Sequence, residues 1–134
     1  MTKARVGSCE RPAPDFCAES EAYTLFRRGV DFLEDGHPAQ AAMYLSRALR
    51  LEPGRNSIRE TLGRAEFASG RFERAADLFR EVVADAPDCD YAHYALARSL
   101  KALGRGEEAR GHLRLARALR PACETYRTPL DGVD

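Results

Sequence analysis

Apolar residues recur at spacings of three and four along most of this chain, the signature of helices that bury one face. The runs are interrupted in strict alternation by Gly36, Pro53, Gly70, Pro87, Gly104 and Pro121. Six helices are predicted. Ser20 can cap the first and Glu21 suits its positive end; it runs to about Glu34 and stops at Gly36. Pro38 is tolerated in the opening turn of the second, which continues through AQAAMYLSRALRL until Pro53 and Gly54 break it. Asn56 or Ser57 is the expected cap of the third, which ends near Gly70, and Phe72 to Ala84 supplies the fourth. Asp88 or Asp90 opens the fifth, which stops at Gly104, and Glu107 to Arg120 forms the sixth. Residues 1–19, with Pro12 and Pro14 and no sustained period, read as a flexible leader. The tail at 122–134 reads as too short and broken for a seventh helix.

The interruptions keep a fixed distance. The prolines at 53, 87 and 121 are separated by 34 residues each time, and so are Gly36, Gly70 and Gly104. Ala41, Ala75 and Ala109 share the interval, as do Leu45, Phe79 and Leu113, while Gly29, Gly63 and Ala97 give three small residues. Small residues let two helices approach closely, and the larger ones fill the neighbouring gaps. A two-helix unit with this period and these residues resembles the tetratricopeptide repeat. The resemblance covers residues 22–121 in three copies (22–55, 56–89 and 90–121) and implies an all-α, right-handed α-solenoid of three helix-turn-helix hairpins. It departs from the family pattern in the first helix of each copy. The bulky first position is Leu25, Arg59 and His93, and the usual aromatic is Phe32, Glu66 and Leu100, so the middle copy is the least typical.

Stacked repeats bury the faces that meet their neighbours, so the outer face of a terminal repeat should be polar. The middle copy presents Ile58, Leu62, Ala65 and Ser69 towards its predecessor, and the last presents Ala92, Leu96, Ser99 and Leu103. The first copy has Thr24, Arg28, Asp31 and Asp35 at those places. On the opposite side Ala42 and Ala76 become Arg110, and Leu49 and Val83 become Arg117, with Arg114 between. Both ends therefore read as finished, with the three arginines in place of a separate capping helix and end-to-end dimers disfavoured.

In this family the first helix of each hairpin lines the concave wall, which the resemblance implies is the binding surface. The stripe not used for packing is Tyr23, Phe26, Val30 and Leu33, then Ser57, Glu60, Arg64 and Phe67, then Tyr91, Tyr94, Arg98 and Lys101. It grades from apolar to aromatic and cationic. Such a wall suits an acidic peptide with apolar anchors. The competing occupants are the chain's own leader and tail. A well-known branch of the family grips the terminal carboxylate of chaperone tails with Lys, Asn and Arg. Those places carry Phe26, Val30, Thr61, Tyr91 and Ala95 here, so that clamp is missing.

Composition narrows the remaining classes. Lys plus Arg and Asp plus Glu number 21 each, so no net field favours nucleic acid, and no polybasic arm favours a membrane surface. No apolar run has signal-peptide or membrane-spanning length, and the expected location is the cytoplasm. Cys9, Cys17, Cys89 and Cys123 stand singly, without a metal or redox spacing, and read as reduced thiols. One repeat separates Cys89 from Cys123, too far for a direct bridge, although Cys9 or Cys17 could reach one of them. His37, His93 and His112 show no spacing that places two on one helix face as a metal pair. No nucleophile elbow, phosphate loop or paired acids are present. The expectation is a monomeric, non-enzymatic adaptor or co-chaperone-type module without a cofactor. The alternatives are a thiol or metal sensor using the leader cysteines, and a self-associating assembly protein.

Overall fold

A computed structural model describes residues 17–130. Most of the predicted leader and the last four residues of the tail lie outside the described residues. The elements are α1 (Glu21–Glu34), α2 (Pro38–Leu51), α3 (Asn56–Ala68), α4 (Phe72–Asp85), α5 (Asp90–Ala102), α6 (Gly106–Leu119) and a single turn, α7 (Glu124–Arg127). No strand occurs among the described residues. Each helix packs mainly on the helices before and after it, giving three hairpins, and α3 also touches both α1 and α5. The result is an all-α solenoid.

The three turns are built identically. Gly36, Gly70 and Gly104 have φ of 85°, 84° and 82°, a region that only glycine enters without strain. The next backbone N–H in each case donates back to the carbonyl of Phe32, Glu66 or Leu100 at 2.8, 2.8 and 2.9 Å. These bonds satisfy orphan carbonyls at the end of α1, α3 and α5, which is why the helices stop on the glycine rather than fray past it.

Close approach within each hairpin depends on the small residue in its first helix. A Cβ added at Gly63 would lie 2.7 Å from Phe79 Cζ, and one at Gly29 would lie 2.5 Å from Leu45 Cγ. The third hairpin admits the fully buried Ala97 at that place. One core runs through Ala75, Phe79, Leu96, Leu100 and Leu113, and another through Ala41, Leu45, Leu62 and Leu78. Polar bonds add register within and between repeats: Asn56 Nδ2 donates to Asp85 Oδ2 at 2.7 Å inside the middle copy, and Arg80 pairs with Glu108 of the last at 3.1 Å.

Two predicted caps are corrected. Arg55, without a side-chain cap bond, precedes α3, and Asn56 turns its amide to Asp85. Cys89 precedes α5, its Sγ accepting from the Ala92 N–H at 3.3 Å. The thiol expectation is also corrected: Cys89 is disulfide-bonded, whereas Cys17 and Cys123 are free, so no Cys89–Cys123 bridge forms. Cys9 lies outside the described residues.

The C-terminal end differs most from expectation. The tail does form a seventh helix, and its Tyr126 is fully buried. The Tyr126 hydroxyl donates to Asp90 Oδ2 at 2.7 Å, and its ring centroid lies 5.0 Å from that of Tyr94. Burial and this bond to a carboxylate raise the phenol pKa far above its ordinary value. Arg117 does not close the end by itself; its Nε donates to the Tyr126 carbonyl at 2.6 Å, while Arg110 and Arg114 remain exposed. A one-turn helix does not form alone, so packing on α5 and α6 stabilises it. Tyr126 follows Ala92 and Ile58 at the 34-residue interval, and both of those are buried too. α7 is thus the opening turn of a fourth first helix, stopped by Pro129.

Candidate functional site

The first helices α1, α3 and α5 stand side by side, and residues from all three border a depression of about 450 Å³. It is lined by Leu33 of α1, Arg64, Phe67 and Ala68 of α3, Phe79 of α4, and Tyr91, Ala95 and Arg98 of α5. The structure therefore brings together five of the predicted wall residues: Leu33, Arg64, Phe67, Tyr91 and Arg98. Tyr23, Phe26 and Val30 lie half-buried on α1 outside this lining, with the Tyr23 and Phe26 rings 6.4 Å apart. Phe26 and Leu33 lean on the core shared by α2 and α3. Lys101 is half-buried near the end of α5, and Tyr94 spends part of its surface on the Tyr126 ring.

Arg64 and Arg98 occupy equivalent places one repeat apart and are both exposed. The Arg98 guanidinium carbon lies 4.5 Å from the centre of the Phe67 ring, a cation–π contact between two residues that line the depression. Tyr91 stands edge-on to Phe79, with 6.3 Å between centroids. Burial raises the Tyr91 pKa, with Arg64 and Arg98 pulling it down and Glu60 pushing it up. Its hydroxyl is therefore a proton donor at neutral pH. Glu60, expected to face the groove, is only 5% exposed.

Two side-chain groups escaped sequence reasoning. Glu66, at the position of the usual aromatic, is buried between Arg71 and Arg74, each 3.5 Å from one of its oxygens. His93 and His112 meet across the α5–α6 hairpin with their Nδ1 atoms 3.0 Å apart, a contact between two helices that spacing along one helix face does not reveal. His93 Nε2 lies 2.9 Å from the Pro87 carbonyl, which can only accept, so Nε2 carries the proton and Nδ1 accepts from His112. Burial first, and then His93, lowers the His112 pKa, with Glu108 opposing and Arg80 assisting. The signal was available by alignment, since the pair replaces Arg59 and Leu78 of the middle copy. Among the described residues, no three His, Cys, Asp or Glu side chains converge to hold a metal ion. No helix among them is long and apolar enough to cross a membrane.

Two models described as tetratricopeptide repeat match residues 26–88 and 66–128, most of the chain between them. The chain belongs to the tetratricopeptide-repeat family, and the right-handed α-solenoid implied by that resemblance is the fold it adopts. It is 32% identical over 92 residues to Superkiller complex protein 3 of Mus musculus, an alignment spanning 69% of this chain but only 6% of that protein. Among solved structures it resembles the first TPR of Spaghetti (RPAP3) bound to the HSP90 peptide SRMEEVD. That match has a TM-score of 0.78 and 18% identity over 84% of this chain and 90% of the other. MamA 41-end from Desulfovibrio magneticus RS-1 gives a TM-score of 0.80 at 20% identity, covering 86% of this chain and 65% of that one. PcrH in complex with the chaperone binding region of PopB gives 0.73 at 18%, covering 83% and 90%. Proteins of this family are in general interaction modules without catalytic activity.

Proposed function

We propose that this chain is a non-enzymatic protein–protein interaction module of adaptor or co-chaperone type, holding a peptide segment of a partner against its concave wall. The observation that carries the reading is the depression where Arg64, Phe67, Tyr91 and Arg98 from successive repeats converge. Two structurally similar proteins, at identities that speak for the fold alone, are described in complex with an HSP90 peptide and with a segment of PopB. Apolar and aromatic anchors from Tyr23, Phe26, Val30, Leu33, Phe67, Tyr91 and Tyr94 contribute area at small entropic cost. Arg64, Arg98 and Lys101 favour acidic residues in the partner, with Glu60 setting a local limit to that preference. The partner is protein rather than nucleic acid or membrane, and the module acts as a cytoplasmic monomer.

Charge reversal of both arginines, Arg64→Glu with Arg98→Glu, should abolish capture of the native partner from lysate while leaving the helical circular dichroism spectrum and melting temperature near those of the parent. Unchanged capture by the folded double variant would remove the wall from consideration. A second reading, thiol-state sensing, has one observation in its favour, the disulfide at Cys89. Intact mass and thiol counting before and after reduction would separate it from simple peptide holding.

A further inference from the structure

We propose that the seam between α4 and α6 is a second docking surface, separate from the wall of first helices. Its occupant is an amphipathic helix of a partner protein that carries a row of Lys or Arg beside a row of apolar residues.

Among the described residues the exposed large apolar side chains are Met43, Leu51, Leu115 and Leu119, each at least 42% exposed. Single exposed residues of this kind are ordinary, but these four share one stripe of the second helices. In the 34-residue register Met43 matches Asp77 and Gly111, Arg47 matches Glu81 and Leu115, and Leu51 matches Asp85 and Leu119. Spacings of four keep each trio on one helix face. The last unit therefore exposes Leu115 and Leu119 where the middle unit exposes Glu81 and Asp85. Packing inside the array requires neither choice, since α6 buries Ala109, Leu113 and Ala116 instead.

Both rows border one seam. Arg80 reaches Glu108 at 3.1 Å and Arg105 reaches Glu73 at 3.6 Å, which marks where α4 and α6 meet. Asp77 lies one turn from both Glu73 and Arg80, and Leu115 and Leu119 follow Glu108 by two and three turns on its own face. Arg59 pairs with Glu81 at 3.5 Å, but Asp85 accepts from the neutral amide of Asn56, and no ion pair holds Asp77 among the described residues. The α4 row thus stays negative beside an apolar neighbour.

This chemistry selects the occupant. A helix laid along the seam repeats its side chains every three or four residues and so keeps step with rows spaced by four. Its cationic edge would meet α4, and its apolar edge would cover Leu115 and Leu119. Nucleic acids and anionic membranes present phosphate, which the α4 row repels. The matching seam between α2 and α4 is less suited, because Arg47 and Arg50 are exposed on α2. Arg114 does not oppose the cationic edge: it matches Arg80, which reaches towards the following hairpin, and so lies on the side of α6 away from α4.

The test uses the full chain, labelled with ¹⁵N, and three synthetic helical peptides of roughly 18 residues. The first carries a Leu row beside a Lys row, the second has Glu in place of Lys, and the third scrambles the order of the first. The Lys peptide should shift the amides of Asp77, Glu81, Leu115 and Leu119, with the other two binding about tenfold more weakly or worse. Leu115→Glu and Asp77→Lys, both at exposed positions and each checked by its circular dichroism spectrum, should each weaken the Lys peptide about tenfold. Arg64→Glu with Arg98→Glu should leave it unchanged. No binding of the Lys peptide at about 1 mM, equal binding of the Glu or scrambled peptide, or shifts confined to α1, α3 and α5 would each overturn the assignment. Unchanged affinity in Leu115→Glu and Asp77→Lys, or loss of binding in the arginine double variant, would do the same.

Discussion

Among the described residues the N-terminal face of the array is formed by α1 itself, whose Thr24, Arg28, Asp31 and Asp35 are all exposed on the side that in later repeats packs on the preceding hairpin. At the C-terminal end the corresponding face of the last hairpin is covered by added chain, with the Tyr126 ring buried and its hydroxyl bonded to Asp90. The first solution changes side chains on an existing helix, one of which, Arg28, sets its guanidinium carbon 5.8 Å from the centre of the Tyr44 ring of α2. The second adds a turn that must be held by the repeat it protects. The energetic weight of the two ends should therefore be unequal, even though both leave a polar surface.

The largest expected effect tests that inequality directly. Tyr126→Ala removes a buried ring and leaves Asp90 with one fewer donor, so it should cost about 3 to 5 kcal/mol in urea unfolding. Asp31→Ala, at an exposed ion pair with Arg27, should stay within about 0.5 kcal/mol. Equal losses would erase the contrast between the ends. An interior reference comes next: Gly63→Leu forces a side chain into Phe79 and should cost about 1 to 3 kcal/mol, visible as a lowered melting temperature.

A smaller effect sharpens the comparison by pH. The folded chain holds His112 below the ordinary imidazole value of 6.5, so it binds fewer protons than the unfolded chain as acid is added. Stability is then full above that value and falls as pH drops below it. The first hairpin has Leu25 and Tyr44 at the equivalent places, with no histidine at either. Acid should accordingly loosen α5 and α6 before α1 and α2, as amide hydrogen exchange at pH 7 and pH 5 would report. His112→Leu, which installs the residue of the middle copy, should flatten the pH dependence.

Most of the fold was legible because it is periodic. The 34-residue interval, the turn glycines and the small residues Gly29 and Gly63 all act through local backbone or nearest-neighbour packing, and such constraints recur visibly. What escaped lies where a position breaks the period. Tyr126 was treated as tail because Pro129 ends its helix after one turn, although it keeps register with Ala92 and Ile58. His93 and His112 are 19 residues apart, and only alignment of the two helices across their turn puts them in contact. At the candidate site the stripe residues were legible from helical spacing. Their division was not: Arg64, Phe67, Tyr91 and Arg98 share one depression, while Tyr94 turns to the cap, because that choice depends on how successive repeats are rotated.

The single turn of α7 also bears on how arrays of this kind grow. With α7 in place the junction for a further unit is already formed: Tyr126 is seated, Asp90 is engaged, and the receiving face of α5 and α6 is shaped. Elongation by one unit would mean continuing a helix beyond Pro129, with no remodelling of the hairpin below it. Duplication and shortening of such a protein can then proceed at one boundary, unit by unit, while the wall formed by the earlier repeats keeps its geometry.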